Sequence, residues 1–310
     1  MMSNIRPGSS LQEEKEICIP LQQLDPEPVG FCDNDHKNSL TNSSLLPSWF
    51  HPIGLSSGDR AATRGGRGSI YYLTQLQRYS SYAFTIFAGF HITNTSLLPL
   101  LTRSVPASES YLLLTRPYYQ SFPLESLLVG LPIIVHVTAG IALRLHKRNI
   151  NLVRYGAIYL PISTRFEKRL KVWPPISWTS IAGYLMIPLV GSHILINRVL
   201  PWLYEGGSSS VGLGYVAHIF AKHPYLAFFN YSAMIGLVSG HFSWGFCRWN
   251  KLIIDGNSEK ARRRRWSINI VSVVLALAWM SGGFGIVARG GQATGWVGNG
   301  YDDLIEHLWL

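Results

Sequence analysis

The chain has 310 residues, a formal net charge of +10, a hydrophobic fraction of 47% and only 14% charged residues. Soluble domains average roughly 25% charged residues, so this composition argues against an ordinary cytosolic enzyme. Ten Trp and long apolar runs make a membrane, rather than nucleic acid, the better destination for the basic excess.

Residues 1–77 come first and differ from the rest. They are rich in Ser, Asn, Gly, Pro and Asp, show little periodicity, and read as a disordered tail. They hold six basic against eight acidic residues, whereas the remainder holds 21 against nine. No apolar signal-peptide core follows Met1, and Glu13, Glu14, Glu16, Asp25 and Glu27 are wrong for an acid-poor transit peptide. Cys18, Cys32 and Cys247 are too few and too scattered for a disulfide framework or a zinc site. One tail segment has a pattern: Leu21 and Leu24 precede Pro26 and Pro28. Prolines stiffen the backbone, so less entropy is lost when such a peptide docks in a groove or on a sheet edge.

Residues 78–310 form the second unit. Apolar stretches near 79–101, 124–145, 176–203, 225–249 and 267–288 are each long enough to cross a hydrocarbon layer of ~30 Å at 1.5 Å per residue. The expected fold is an all-α membrane protein with five transmembrane helices. The stretch 211–221 is too short to span and reads as interfacial or re-entrant. Basic residues gather in two loops: Arg144 to Lys171 after the second stretch, and Arg248, Lys251, Lys260 and the run Arg262, Arg263, Arg264 and Arg265 after the fourth. Five spans would put both loops and the tail on the cytosolic side and the C-terminus across the membrane. Beside a spanning helix, the arginine run reads as a contact for anionic lipid.

The first and third stretches repeat at an offset of 102 residues: Tyr82, Gly89, His91, Ile92, Leu98 and Pro99 match Tyr184, Gly191, His193, Ile194, Leu200 and Pro201. The second and fourth match more weakly at 105, His136 with His241 and Gly140 with Gly245. A duplicated two-helix hairpin, making a four-helix bundle, plus a fifth helix follows. Each repeated helix carries one histidine inside the membrane, where an ionisable side chain points to function. His91, His136, His193 and His241 are therefore candidate cofactor ligands, two layers of two that could hold haem. The competing reading is that each imidazole hydrogen-bonds a neighbouring helix.

Soluble-enzyme motifs are absent. Gly206-Gly207 reads as a loop, Gly282-Gly283 as a close-packing site and Gly290-Gly291 as a turn; none has the strand-then-helix context of a phosphate loop. His218 and His223 have no Glu partner, so a metalloprotease reading is weak. Glu125 and Glu205 read as solvated charges near membrane boundaries.

The runs Asn94 to Arg116, KVWPP at 171–175, NRVLP at 197–201, YVAHIFAKHP at 215–224, GGFGIVARGG at 282–291 and GWVG at 295–298 resemble a fungal family of mitochondrial outer-membrane adaptors, first named for complementing loss of the MDM-ten protein. The resemblance covers about residues 70 to 305. It implies a multi-span domain that tethers a bridge-like lipid-transfer protein, the vacuolar protein sorting-associated protein thirteen, to mitochondria. It also implies that the tail peptide is the docking element, because the family pattern of two apolar residues before Pro-x-Pro fits Leu21, Leu24, Pro26 and Pro28.

The expectation is a non-enzymatic adaptor in the mitochondrial outer membrane. It would act at contacts with the vacuole or endosomes, need no resident cofactor or metal, and have lipid scrambling by the bundle as a further role. The alternative is a b-type haem protein resembling the membrane anchors of succinate dehydrogenase.

Overall fold

The computed structural model describes residues 68–154 and 172–308. The tail peptide of Leu21, Leu24, Pro26 and Pro28 lies outside the described residues, as do Arg165, Lys168, Arg169 and Lys171 of the first basic loop. Everything regular among the described residues is helical.

The order is α1 (Ser69–Thr102), α2 (Val105–Thr115), α3 (Ser126–Arg154), α4 (Trp178–Glu205), α5 (Leu213–Lys222), α6 (Pro224–Trp249), α7 (Glu259–Gly290) and α8 (Gly295–Glu306). A four-residue turn of helix, Pro117–Gln120, follows α2. Four helices, α1, α3, α4 and α7, are long and apolar enough to cross a membrane. Their outward faces carry exposed Ile86, Ile134, Val273, Val274 and Leu277, which suits lipid and not water. The protein is an integral, multi-pass membrane protein.

Five spans were expected and four meet the criterion. The stretch at 225–249 is a helix of 26 residues, about 39 Å long. Asn230, Ser232, Ser239, His241 and Ser243 along it dilute its apolar character. It nevertheless runs antiparallel to both neighbours. Near its start, Asn230 Nδ2 donates to Ser192 Oγ late in α4 (2.7 Å), and near its end His241 Nδ1 bonds the Thr179 carbonyl early in α4 (2.9 Å). On its other side, Phe228 packs on Phe284 and Trp244 Nε1 donates to Asn269 Oδ1 at 3.0 Å.

The second basic loop is also shorter than the sequence suggests. Arg262 to Arg265 belong to α7, which begins at Glu259. Ser258 caps that end, accepting from the Ala261 N–H at 3.2 Å, and Glu259 stands in the first turn and bonds Arg263. Apolar content marks the membrane part of a helix, whereas the cap fixes where the helix starts.

Three helices share one local device. α1 has a π-helical turn at Thr93–Leu97, α4 at Leu195–Val199 and α3 at Ser126–Gly130. Each is followed by Leu-Pro: Leu98-Pro99, Leu200-Pro201 and Leu131-Pro132. Proline has no N–H and its ring crowds the carbonyl four residues back. Widening the turn before it lets the leucine N–H reach the carbonyl five residues back, as it does to Thr93, Leu195 and Ser126. The turns in α1 and α4 keep the repeat offset of 102 residues.

The best-packed region lies at one end of the bundle. The short helix α5 is buried there, with Tyr215 and Ala217 at 0% exposure and Phe220 at 2%. It packs against Leu200 of α4, Phe284 of α7 and Leu304 and Ile305 of α8. The stretch at 211–221, expected to be interfacial or re-entrant, thus forms a buried half-length helix.

Candidate site between the two helical hairpins

Helices α1 and α3 pack as one hairpin and α4 and α6 as another. Across the gap, imidazoles meet in two layers. His136 of α3 faces His241 of α6, with ring centroids 6.0 Å apart and planes at 78°. His91 of α1 faces His193 of α4 at 5.8 Å and 77°. All four sequence-derived histidines are brought together pairwise, and each pair joins one helix of the first hairpin to one of the second.

The two layers are held differently. His136 Nδ1 lies 3.0 Å from the Gln77 carbonyl and His241 Nδ1 lies 2.9 Å from the Thr179 carbonyl. A carbonyl only accepts, so Nδ1 carries the proton in both rings and Nε2 keeps its lone pair. Gln77 and Thr179 are themselves related by the 102-residue offset. In the other layer, His91 stacks on Phe87 at 5.4 Å and His193 meets the Tyr231 ring edge-on at 5.5 Å. Asn197 Nδ2 donates to the His193 carbonyl at 2.9 Å and lies 3.4 Å from His193 Nδ1.

This second layer borders a cleft with about 920 Å³ of empty space, part of it open to the surroundings. His91, His193, Asn197, Arg116, Tyr119 and Trp279 are among its lining residues. Arg116 Nη1 donates to the Ser208 carbonyl at 3.0 Å and Nη2 to the Val211 carbonyl, while its Nε is buried without a partner. Burial pushes the phenol of Tyr119 up, so it stays neutral at physiological pH. The cleft is thus apolar, with a few polar groups aimed into it.

Several ties at this end of the bundle were missed in the sequence. Glu125, read as a solvated charge, is gripped by Arg198, whose Nε and Nη2 donate to the two carboxylate oxygens at 2.6 and 2.5 Å. Glu205, read the same way, accepts from the Ser210 hydroxyl. Glu125 thus gains a partner from α4 in the other hairpin, whereas Glu205 stays exposed and meets only a neighbour five residues along the chain. Glu109 of α2 accepts from the Leu213 N–H at 2.6 Å and so closes the start of α5. His218 Nδ1 accepts from the Ala293 N–H at 3.2 Å, which leaves Nε2–H to donate to Asp302 at 2.9 Å. Lys222 binds the second oxygen of Asp302 at 2.9 Å. Apart from the Glu205–Ser210 contact, no local pattern announces these pairs, since their partners lie 73 to 104 residues away.

The glycines divide as well. Gly282 makes the expected close approach, to Ser96 of α1. Gly290, expected in a turn, is the last residue of α7 and touches Ala217 of α5, while Gly291 supplies the positive φ that ends the helix. The arginines at 262–265 lie in the first turns of α7, at the opposite end of that helix from Gly282. Among the described residues, no group of three or more His, Cys, Asp or Glu could hold a bare metal ion.

No curated protein and no solved structure matches the chain. Residues 188–292 match the family model for the transmembrane domain of MDM10-complementing protein 1. That range takes in the second half of α4, all of α5 and α6, and α7, and so includes His193, His218 and His241. The motifs at 197–201, 215–224 and 282–291 lie inside it. Over these residues the chain is similar to the transmembrane domain of MDM10-complementing protein 1.

Proposed function

We propose that this protein is a non-catalytic adaptor of the mitochondrial outer membrane that recruits a bridge-like lipid-transfer protein to contacts with the vacuole or endosomes. The observation that carries this reading is the match of residues 188–292 to the transmembrane domain of MDM10-complementing protein 1. The chain is read as two units, a recruiting tail at 1–77 and a membrane domain at 78–310. In the tail, Leu21 and Leu24 fill apolar pockets on the partner, and Pro26 and Pro28 hold the peptide extended.

The reading needs the tail in the cytosol. With α6 counted as a fifth span, the tail and both basic loops share one side and the C-terminus enters the intermembrane space. The antiparallel ties of α6 to α4 and α7 support that count. Arg262, Arg263, Arg264 and Arg265 then meet anionic headgroups at the cytosolic face.

The cleft supports a second role. A lipid-transfer protein fills one leaflet, and a polar groove through the bundle lets headgroups reach the other. The cleft, apolar but for groups such as Arg116 and Asn197, would serve as part of that route only where no other ligand fills it.

The test of recruitment is a pull-down or fluorescence assay on the full chain with Pro26→Ala and Pro28→Ala. Loss of the partner with unchanged membrane insertion supports the peptide assignment, and undiminished recruitment removes it. Scrambling is tested by dithionite access to labelled lipid in liposomes containing the purified protein.

A further inference from the structure

The two hairpins meet through imidazoles, and each layer has the spacing of a pair of axial ligands. We propose that each layer binds one b-type haem, the first between His136 and His241 and the second between His91 and His193. A metal–imidazole bond is about 2.0 Å, so two imidazoles on opposite faces of one iron place their ring centroids about 6 Å apart. The observed separations are 6.0 and 5.8 Å.

Proton placement in the first layer points the same way. His136 and His241 each spend the Nδ1–H on a main-chain carbonyl. That is the orientation metal-bound histidines adopt, because it fixes the tautomer and raises the basicity of the other nitrogen. Two rings so protonated have only acceptors left to offer one another. A plain helix–helix tie would need a donor between them; an iron atom satisfies both lone pairs.

The choice of a tetrapyrrole over a bare ion follows from ligand count. Two imidazoles leave a bare ion short of ligands, and among the described residues no third His, Cys, Asp or Glu joins them. A macrocycle brings four nitrogens of its own and needs only the two axial positions.

The bundle also leaves room. The two hairpins stand apart: α1 and α3 come close to α4 and α6 at few points besides the two imidazole pairs. Beside the first layer, a Cβ on Gly183 would stand 3.1 Å from His241 Cε1, so the ring is seated against a residue with no side chain. Beside the second layer, the Arg116 Nε is a buried donor without a partner at the cleft, suited to a haem propionate.

Two groups are required and not one. His91 is 14 residues beyond Gln77, and His193 is 14 beyond Thr179. Both stretches are α-helical, so the layers lie about 21 Å apart.

The test starts with the full chain purified from membranes of haem-replete cells, with haem counted by the pyridine haemochrome method. Hemin is then titrated into colourless preparations. Two haems per chain with a low-spin spectrum are expected, and His136→Ala or His241→Ala should halve the content and spare the other site. His91→Ala and His193→Ala should remove the complementary half. Because an alanine variant can misfold, His241→Met provides a second reading: it keeps an axial ligand but shifts the reduced spectrum of one haem only. A colourless protein that gives no saturable low-spin spectrum with hemin overturns the proposal. So does bound haem that all four alanine variants and His241→Met leave unchanged. The tail variants Pro26→Ala and Pro28→Ala should leave the spectrum intact, so failure of recruitment and failure of haem binding are read separately.

Discussion

Ser96 of α1 sits directly on Gly282 of α7. A Cβ at Gly282 would lie 2.1 Å from the Ser96 carbonyl oxygen, and the Ser96 hydroxyl donates to the Trp279 carbonyl at 2.9 Å. This contact fixes α7 against the π turn that follows His91. Backbone stands where the new methyl would go, so the helices must separate. Gly282→Ala is expected to destabilise the bundle by about 1–3 kcal/mol, read as a lower Tm in detergent. Ser96→Ala removes only a hydrogen bond and should cost about 1 kcal/mol or less. Equal effects would mean that the close approach is not the controlling contact.

The Arg198–Glu125 pair closes the first hairpin onto the second. Each side chain is about 30% exposed, and Arg198 Nη1 also donates to Ser208 Oγ at 2.6 Å. Partial exposure screens the charges, but the forked geometry and the third bond add to the tie. Arg198→Ala or Glu125→Ala is expected to cost about 1–2 kcal/mol. The double variant should cost less than the sum, because each single change leaves the other charge without its partner. Additive losses in that cycle would show that the pair is not coupled.

Glu109 holds the first N–H of α5 and brings a negative charge to a helix start. Glu109→Ala is expected to loosen α5 by about 1–2 kcal/mol, and Glu109→Gln by less because an acceptor oxygen remains. Gly212→Ala should mimic the alanine variant, since its Cβ would stand 2.1 Å from the Glu109 carboxylate. Faster amide exchange along Leu213–Lys222 is the measurement, and unchanged exchange in all three would remove Glu109 from the role.

How much of this was legible in the sequence depends on where each signal lives. The histidines stood out because a titratable ring on an apolar run has few explanations, and the offset of 102 tied His91 to His193. The same offset relates Gln77 to Thr179, yet nothing marked them, because they act through main-chain carbonyls that any residue supplies. The π turns were written as Leu-Pro three times, but proline alone does not say whether a helix kinks, ends or widens. Helix starts were misplaced by up to ten residues, Ser69 against an expected 79, because the apolar window sees the hydrocarbon layer and not the cap. Arg198 and Glu125 each looked like a boundary charge, since 73 residues of chain separate them.

The last expectation concerns Asp302, which fastens α8 to α5. Hydrogen bonds from Lys222 first and His218 second hold its carboxyl below the usual value of 3.8. A depressed pKa in the folded protein means that the ionised form stabilises the docked helix. That contribution is fully present above the unfolded value and is lost as pH falls through the folded one. At neutral pH the tie is intact, and acidification below about 4 should release α8. A third of the Asp302 side chain stays exposed, so solvent screening keeps the effect modest. The neighbouring groups Asp303 and His307 lie on α8 itself, while Lys222 and His218 face Asp302 from α5. Limited proteolysis or amide exchange of Gly295–Glu306 against pH reads the release directly. Asp302→Asn should weaken docking at neutral pH and flatten the acid dependence, because the amide accepts one bond but cannot titrate. An acid transition that persists unchanged in Asp302→Asn would assign it to another group.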